Sequence, residues 1–229
     1  MIPIRDNIER IRERIANAAH RAGRDPATVK LMAVTKTVDD ERIQAAIDAG
    51  ITLFGENYVQ EAKRKIEVMG RDVSWHMIGH LQSNKAKYAV NLFNMVHSVD
   101  RMSLATELNR RAANAGITMD ILVEVNVSGE ESKEGIPRDG AIELVENVAT
   151  LDNLALRGLM TMPPWFDNPE DARPYFIRLR ELRNEIIAKN IPGVAMTELS
   201  MGMSGDFEVA VEEGATIVRI GTAVFGPRK

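Results

Sequence analysis

Apolar positions along this chain follow two different patterns, one typical of amphipathic helices and one typical of buried strands. Ile4, Ile8, Ile11 and Ile15 recur at helical spacing, and Gly23 is a plausible stop signal after them. Beyond Gly23, apolar runs too short for helices alternate with amphipathic stretches. Such runs predict parallel strands that are buried on both faces.

The sequence predicts eight strands after the first helix, with seven helices between them. The predicted strands are Lys30–Thr35, Thr52–Phe54, Ser74–Ile78, Met95–Ser98, Met119–Val127, Ala155–Thr161, Met196–Leu199 and Thr216–Ile220. The predicted helices start near Asp39, Tyr58, Ser83, Arg101, Arg138, Asn168 and Asp206.

Strict alternation of strands and helices favours an α/β fold in which the helices connect parallel strands. Eight such units predict a TIM-type (β/α)8 barrel with an extra N-terminal helix, over a single domain of residues 1–229. A doubly wound open sheet is the alternative. The tail after Ile220 is too short for an eighth outer helix, so the N-terminal helix either takes that place or covers one end of the barrel.

Composition narrows the choice of partners and compartment. The chain has 229 residues, 45% of them hydrophobic, a formal net charge of -4 and no cysteine. Without a block of basic residues, nucleic acid is not expected as a partner, and the absence of cysteine excludes disulfides and thiolate chemistry. No apolar stretch approaches the roughly 18 residues that a membrane span requires. A cytoplasmic protein without a membrane partner is expected.

Lys36 carries the most specific chemical signal. It follows the apolar run Leu31–Thr35, so it should lie at the carboxyl end of a buried strand. Burial disfavours the ammonium form, and a neutral amine can attack an aldehyde to form a Schiff base. The alternative is a lysine whose stem packs at the strand end while its ammonium group reaches water.

Two segments near the C-terminus are suited to holding a phosphate group. Ser200–Asp206 contains two serines and two glycines before a helix, and Arg219–Thr222 follows the last strand. In a TIM barrel, the loops after the seventh and eighth strands often bind phosphate through backbone N–H groups and hydroxyls. Either loop alone could be an ordinary helix cap. Together with Lys36 they suggest pyridoxal 5'-phosphate (PLP) as a cofactor.

Several motifs in one order resemble the YggS/PROSC family of pyridoxal phosphate homeostasis proteins, over essentially the whole chain. They are Ala33–Lys36, Phe54–Glu61, Trp75–Lys85, Leu199–Asp206 and Arg219–Phe225. The resemblance implies a barrel like the N-terminal domain of alanine racemase, which is the fold-type III architecture of PLP proteins. It also implies a cofactor site in which Lys36 carries PLP as a Schiff base. The other implied residues are Ser204, Gly221 and Thr222 at the phosphate, Ser200 nearby, Arg219 at the pyridine nitrogen and Asn57 close to the ring.

Arg219 indicates what such a site would do. Arginine only donates hydrogen bonds, so a pyridine nitrogen facing it stays unprotonated and is a weak electron sink. Racemisation would also require two bases, and none of Tyr58, Tyr88 and Tyr175 matches such a base by motif. The racemases supply a tyrosine from a further C-terminal domain, which is not expected here.

The leading hypothesis is a non-catalytic monomer that buffers PLP or delivers it to PLP-dependent apo-enzymes. The alternatives are a PLP enzyme acting on amino acids, such as a weak racemase, and an aldolase-type barrel that uses Lys36 without a cofactor. No metal site is expected. His80 and the loop Met160–Phe166 have no assigned role, and Glu56 and Glu61 are interpreted as helix-capping residues.

Overall fold

Eight parallel strands form a closed barrel, as expected from the alternating pattern. The structure is a computed structural model that describes residues 3–130 and 133–227. Its strands are β1 (Lys30–Val34), β2 (Leu53–Glu56), β3 (Ser74–Met77), β4 (Met95–Val99), β5 (Met119–Asn126), β6 (Ile136–Pro137), β7 (Leu154–Met160), β8 (Glu198–Ser200) and β9 (Ile217–Ile220). The order of neighbours is β4-β3-β2-β1-β9-β8-β7-β5, and β4 also pairs with β5. This last pairing closes the sheet and excludes the open doubly wound alternative.

The outer layer consists of helices that follow the strands. They are α1 (Ile4–Arg21), α2 (Asp40–Asp48), α3 (Val59–Met69), α4 (Ala86–Leu92), α5 (Met102–Ala115), α6 (Arg138–Val148), α7 (Arg173–Ala188), α8 (Phe207–Glu212) and α9 (Thr222–Phe225). Short 3-10 turns at Ser83–Lys85 and Pro169–Ala172 precede α4 and α7. Five of the seven predicted helix starts are therefore confirmed to within one residue, and the starts predicted near Ser83 and Asn168 coincide with the 3-10 turns that precede α4 and α7.

The N-terminal helix occupies the place of an eighth outer helix. α1 packs between α2 and α8 and also contacts α9. Arg12 donates to the carbonyl of Gly50 after α2 at 2.7 Å, while Arg14 pairs with Glu208 of α8 at 2.7 Å. Ile8, Ile11 and Ile15 are buried beneath these polar contacts. The first of the two predicted positions for this helix is therefore confirmed.

The short strand β6 was not predicted, because two residues carry no periodicity. It pairs with the end of β5 outside the eight-stranded barrel. No helix within residues 3–130 and 133–227 is long and apolar enough to cross a membrane. The barrel places the carboxyl ends of all eight strands at one mouth, where the predicted site residues should meet.

Candidate functional site at the carboxyl end of the barrel

A cavity of about 250 Å³ opens among the carboxyl ends of the strands. Six of the seven predicted site residues line it, namely Lys36, Asn57, Ser204, Arg219, Gly221 and Thr222. Ser200 does not line the cavity; it is fully buried below, where its hydroxyl accepts a hydrogen bond from Arg219. The volume lies just below the range of about 300–1,000 Å³ typical of small-molecule sites, so the cavity suits one small ligand.

The backbone on both sides of Lys36 is held by the completely buried Lys65 and by the partly buried Glu61. The carbonyl of Thr35 accepts a hydrogen bond from Lys65 Nζ at 2.5 Å, and the amide of Thr37 donates to Glu61 Oε1 at 2.7 Å. Thr37 has φ 61, a left-handed conformation that a β-branched residue rarely adopts. Strain of this kind persists where the surroundings over-determine the backbone, and it is common at functional sites.

Glu56 and Glu61 belong to this support and are not helix caps, so that interpretation was wrong. Neither caps α3, whose N-terminal residue has no side-chain cap. Lys65 Nζ lies 2.7 Å from Glu56 Oε1 and 2.6 Å from Glu61 Oε1, while Thr35 Oγ1 donates to Glu56 at 2.5 Å. Burial raises the pKa of Glu56, and the hydrogen bonds from Lys65 and Thr35 oppose that shift. A completely buried lysine explains why both carboxyl groups turn inward.

The two phosphate-type loops meet at one edge of the cavity. The amide of Ala223 donates to Ser204 Oγ at 3.2 Å, which ties the loop after β8 to the start of α9. Asp206 accepts the amide of Met203 at 2.6 Å and does not line the cavity. Gly202 has φ 91, and a Cβ there would lie 2.5 Å from Ala210 Cβ, so only glycine fits this bend. The loop therefore presents hydroxyls and backbone to a ligand while its carboxyl group is turned away.

Arg219 places a buried positive charge at the floor of the cavity. Its guanidinium donates to Ser200 Oγ and to the carbonyl of Thr161, both at 2.8 Å. Among the described residues, no carboxylate lies within 4.0 Å of it. Burial lowers the pKa of Arg219 to about 10, and Glu124 and Asp206 oppose that shift from a distance. The guanidinium remains charged at neutral pH, and a ligand that accepts hydrogen bonds or carries negative charge suits this floor.

Sequence reasoning missed Glu124 and assigned no role to His76 and His97, which also lie inside the barrel. Glu124 is 4% exposed, and burial, followed by repulsion from Asp100, raises its pKa to about 8. His76 and His97 are also buried. These residues could have been recognised in the sequence as polar residues within otherwise apolar strands. Successive side chains of a strand point to opposite faces, and these positions belong to the face that points into the barrel.

Exposed apolar side chains border the open side of the cavity. Met162 and Trp165 line it with exposed fractions of 48% and 75%, whereas Met160 is buried. Phe166 turns away and stacks on Tyr175 at a centroid distance of 5.6 Å. The loop after β7 is thus divided between the cavity mouth and the helical layer, a division that the sequence could not reveal.

His80 faces carboxylates beside the mouth. Its Nδ1 lies 3.0 Å from Glu134 Oε2 and 4.0 Å from Asp100 Oδ2, and all three ligand atoms lie within 4.8 Å of one another. A metal ion could be held at such spacing. However, Arg101 already pairs with Asp100 at 2.5 Å, which reduces the negative charge available to a cation.

The cavity fits PLP in three respects. Asn57 Oδ1 is buried without a hydrogen-bond partner among the described groups, as expected of an atom that a ligand would satisfy. Arg219 supplies a buried donor without a contacting carboxylate. Ser204 and Thr222 supply hydroxyls at the edge of the cavity, and Thr222 follows β9, which is the neighbour of the lysine-bearing strand β1. An amine, a buried cation and a hydroxyl-lined loop are the groups that an aldehyde, a pyridine nitrogen and a phosphate require.

Comparison with known proteins identifies the family. Residues 6–229 match the family described as alanine racemase, N-terminal domain. A relative from Aquifex aeolicus (strain VF5), named pyridoxal phosphate homeostasis protein, is 49% identical over 225 residues, which are 98% of each chain.

Solved structures show the same architecture. An unknown protein from Bifidobacterium adolescentis has a TM-score of 0.93 and 42% identity, covering 97% of this chain and 94% of that one. PipY of Synechococcus elongatus PCC7942, solved with PLP bound, has a TM-score of 0.81 and 36% identity, covering 94% of this chain and all of PipY.

The fold and the site therefore define a barrel of the alanine racemase N-terminal type. Within that class, this chain belongs to the YggS/PROSC family of pyridoxal phosphate homeostasis proteins.

Proposed function

We propose that this chain is a PLP-binding protein of vitamin B6 homeostasis and that residues 1–229 form one cofactor-binding domain. The observation that carries the proposal is the meeting of Lys36 with the Ser204 and Thr222 loops at one cavity. A relative that shares 36% of its residues and the same fold binds PLP. The relatives also carry the name of a homeostasis protein rather than that of an enzyme.

Each side chain of the cavity has a distinct role in this proposal. When bound, PLP supplies an aldehyde carbon that an amine can attack, and Lys36 supplies that amine at the end of β1. Ser204, Gly221 and Thr222 hold the phosphate, and Arg219 donates to the pyridine nitrogen. Asn57 lies beside the ring, and Ser200 acts indirectly because it contacts Arg219.

We propose that this site holds the cofactor without substantial turnover. Arg219 cannot accept a proton, so it keeps the ring nitrogen unprotonated and stabilises substrate carbanions poorly. No tyrosine of the described chain lines the cavity. Tyr58 is 60% exposed, Tyr88 lies beside Lys87, and Tyr175 stacks on Phe166. The second base that racemisation requires has therefore no tyrosine candidate within the cavity.

We further propose that the protein is a cytoplasmic monomer that passes PLP to apo-enzymes. The exposed mouth at Met162 and Trp165 leaves a route for the cofactor to leave. The absence of cysteine is compatible with a reducing compartment. Light scattering should give the mass of one chain, and loaded protein should activate an apo-enzyme. A stable dimer that covers the mouth and blocks transfer would contradict both expectations.

Borohydride reduction tests the proposed function directly. Purified protein incubated with PLP and then reduced should gain the mass of one pyridoxyl phosphate group, and peptide mapping should place it on Lys36. Lys36→Ala should lose this label while remaining folded, because Lys36 is a cavity residue rather than a core residue. Lys87→Ala, on the exposed face of α4, is the matched control and should be labelled like the wild type. Stoichiometric labelling of Lys36→Ala at full cofactor occupancy would refute the assignment.

A separate measurement tests the absence of turnover. Exchange of the α-proton of a panel of amino acids, followed by NMR in deuterated water, should be far slower than the roughly 1 per second at the lower end of ordinary enzymes. Faster exchange that depends on Lys36 would identify a racemase-like or transaminase-like enzyme instead. PLP binding would stand in that case, because the mass experiment is independent of turnover.

A further inference from the structure

A chain of hydrogen-bonded side chains runs through the barrel interior below the cavity. Arg219 Nη1 lies 2.8 Å from Ser200 Oγ, and Ser200 Oγ lies 3.0 Å from His97 Nδ1. His97 Nε2 lies 2.9 Å from His76 Nδ1, and His76 Nε2 lies 3.3 Å from Ser74 Oγ. These residues come from β9, β8, β4 and β3, so the chain crosses the barrel.

One set of hydrogen-bond directions gives every hydroxyl and ring N–H between Arg219 and Ser74 an acceptor, and it starts at Arg219. Arginine only donates, so Ser200 Oγ must accept from Arg219. The Ser200 hydroxyl then donates its own proton to His97 Nδ1, which makes Nε2 of His97 the protonated nitrogen. His97 donates in turn to His76 Nδ1, and His76 carries its proton on Nε2, facing Ser74. Both histidines must be neutral for this order to hold.

The surroundings of the histidines favour the neutral form. His97 and Ser200 are fully buried, and His76 is 7% exposed. Burial, and then the charge of Lys30, lowers the pKa of His76 to about 3. Burial is also the main cause that lowers the pKa of His97 well below its usual value, followed by His76 and Arg219. At neutral pH both rings are therefore neutral, as the directed chain requires.

The chain joins the two ends of the barrel. Arg219 lines the cofactor cavity at the carboxyl end, whereas Ser74 and His76 line a cavity of about 860 Å³ at the opposite end. Hydrogen bonds aligned in one direction polarise and strengthen one another. The side chains of this buried chain should therefore be held more rigidly than the same hydrogen bonds would hold them separately.

We propose that His97 and His76 are positioning residues that orient the Arg219 guanidinium toward the cofactor ring through the Ser200 hydroxyl. The Ser200 hydroxyl is held in one rotamer, with a lone pair toward Arg219, when it donates its own proton to His97 Nδ1. The backbone carbonyl of Thr161 accepts the second hydrogen bond from the Arg219 guanidinium. Removal of the His97 acceptor frees the hydroxyl to rotate and loosens the guanidinium. The inference rests on the proposed function, since it takes the ring nitrogen of PLP as the group that Arg219 meets.

The first test uses the protein without cofactor and is independent of PLP binding. Nitrogen-15 NMR of labelled histidine should show His76 and His97 both protonated only at Nε2 at pH 7. Protonation at Nδ1 of either ring, or an imidazolium, would break the directed chain and overturn the inference.

The second test compares His97→Leu with His97→Gln. Leucine fills the space but cannot accept, so PLP affinity should fall about tenfold, the loss expected for one charge-assisted hydrogen bond. Glutamine can accept from Ser200 and donate to His76, so His97→Gln should retain most of the affinity. The ring-nitrogen resonance of nitrogen-15 PLP should shift in His97→Leu and stay near its wild-type value in His97→Gln.

Ser98→Ala is the matched control on the same strand. Its hydroxyl is buried and has no hydrogen-bond partner among the described residues, so the variant should bind PLP as the wild type does. A folded His97→Leu with wild-type affinity and an unshifted resonance would overturn the inference. If His97→Leu does not fold, His76→Leu, one ring further from Arg219, serves for the same comparison. Wild-type protein that fails to bind PLP would instead refute the proposed function, while the histidine tautomers would still report on the chain.

Discussion

Pyridoxal, which lacks the phosphate, is expected to bind this protein about a thousandfold more weakly than PLP. Ser204 and Thr222 line the cavity where we propose that the phosphate binds, and their two hydroxyls with one backbone N–H of the same loops would supply three donors. Each charge-assisted hydrogen bond contributes roughly 1.5–3 kcal/mol, and about 1.4 kcal/mol corresponds to a factor of ten. Equilibrium titration of both compounds, followed by absorbance, measures the difference.

Variants locate this affinity within the protein. Thr222→Val removes one hydroxyl without a change of shape, and combined with Ser204→Ala it should weaken PLP binding by at least tenfold while pyridoxal binding changes little. Ser204 also accepts the amide of Ala223, so Thr222→Val alone is the cleaner measurement. Thr197→Val, at the opposite end of the barrel, is the matched control. Equal affinities for PLP and pyridoxal in the wild type would exclude a phosphate anchor.

Lys65→Met is expected to lower the free energy of unfolding by about 3–5 kcal/mol, the usual cost of breaking a buried ion pair. The substitution leaves Glu56 and Glu61 without their common partner and frees the Thr35 carbonyl beside Lys36. The hydrogen bond from Lys65 to that carbonyl holds the backbone next to Lys36. Labelling of Lys36 by PLP should therefore also become slower in the variant. Urea denaturation and the rate of borohydride-trapped labelling measure the two effects.

Lys63→Met provides the comparison on the same helix. Lys63 is exposed and lies 3.8 Å from Glu67, so its loss should change stability by less than about 1 kcal/mol. Adding Glu56→Gln and Glu61→Gln to Lys65→Met should restore part of the lost stability, since no uncompensated charge then remains buried. A Lys65→Met variant as stable as Lys63→Met would show that the buried cluster does not support the Lys36 segment.

The sequence was sufficient for the architecture because periodicity is a local property. Alternation of short apolar runs with amphipathic stretches predicted the barrel strands and the helices that follow them. The order of the strands also placed Lys36 and the two C-terminal loops at one end, since all parallel strands of a barrel present their carboxyl ends together. Motif resemblance added Asn57 and Arg219, and both line the cavity.

Only the tertiary structure decided which polar side chains meet inside the barrel. His97 and Ser200 are 103 positions apart and contact each other because β4 and β8 face one another across the interior. Lys65 extends from α3 to the carbonyl of Thr35 and pairs with Glu56 and Glu61. The two glutamates, which the sequence suggested as helix caps, therefore support the segment that carries Lys36. Alternation along a strand determines which side chains point inward. The closure of the sheet determines their neighbours, and hydrogen bonding in the low-dielectric interior then determines their protonation states and directions.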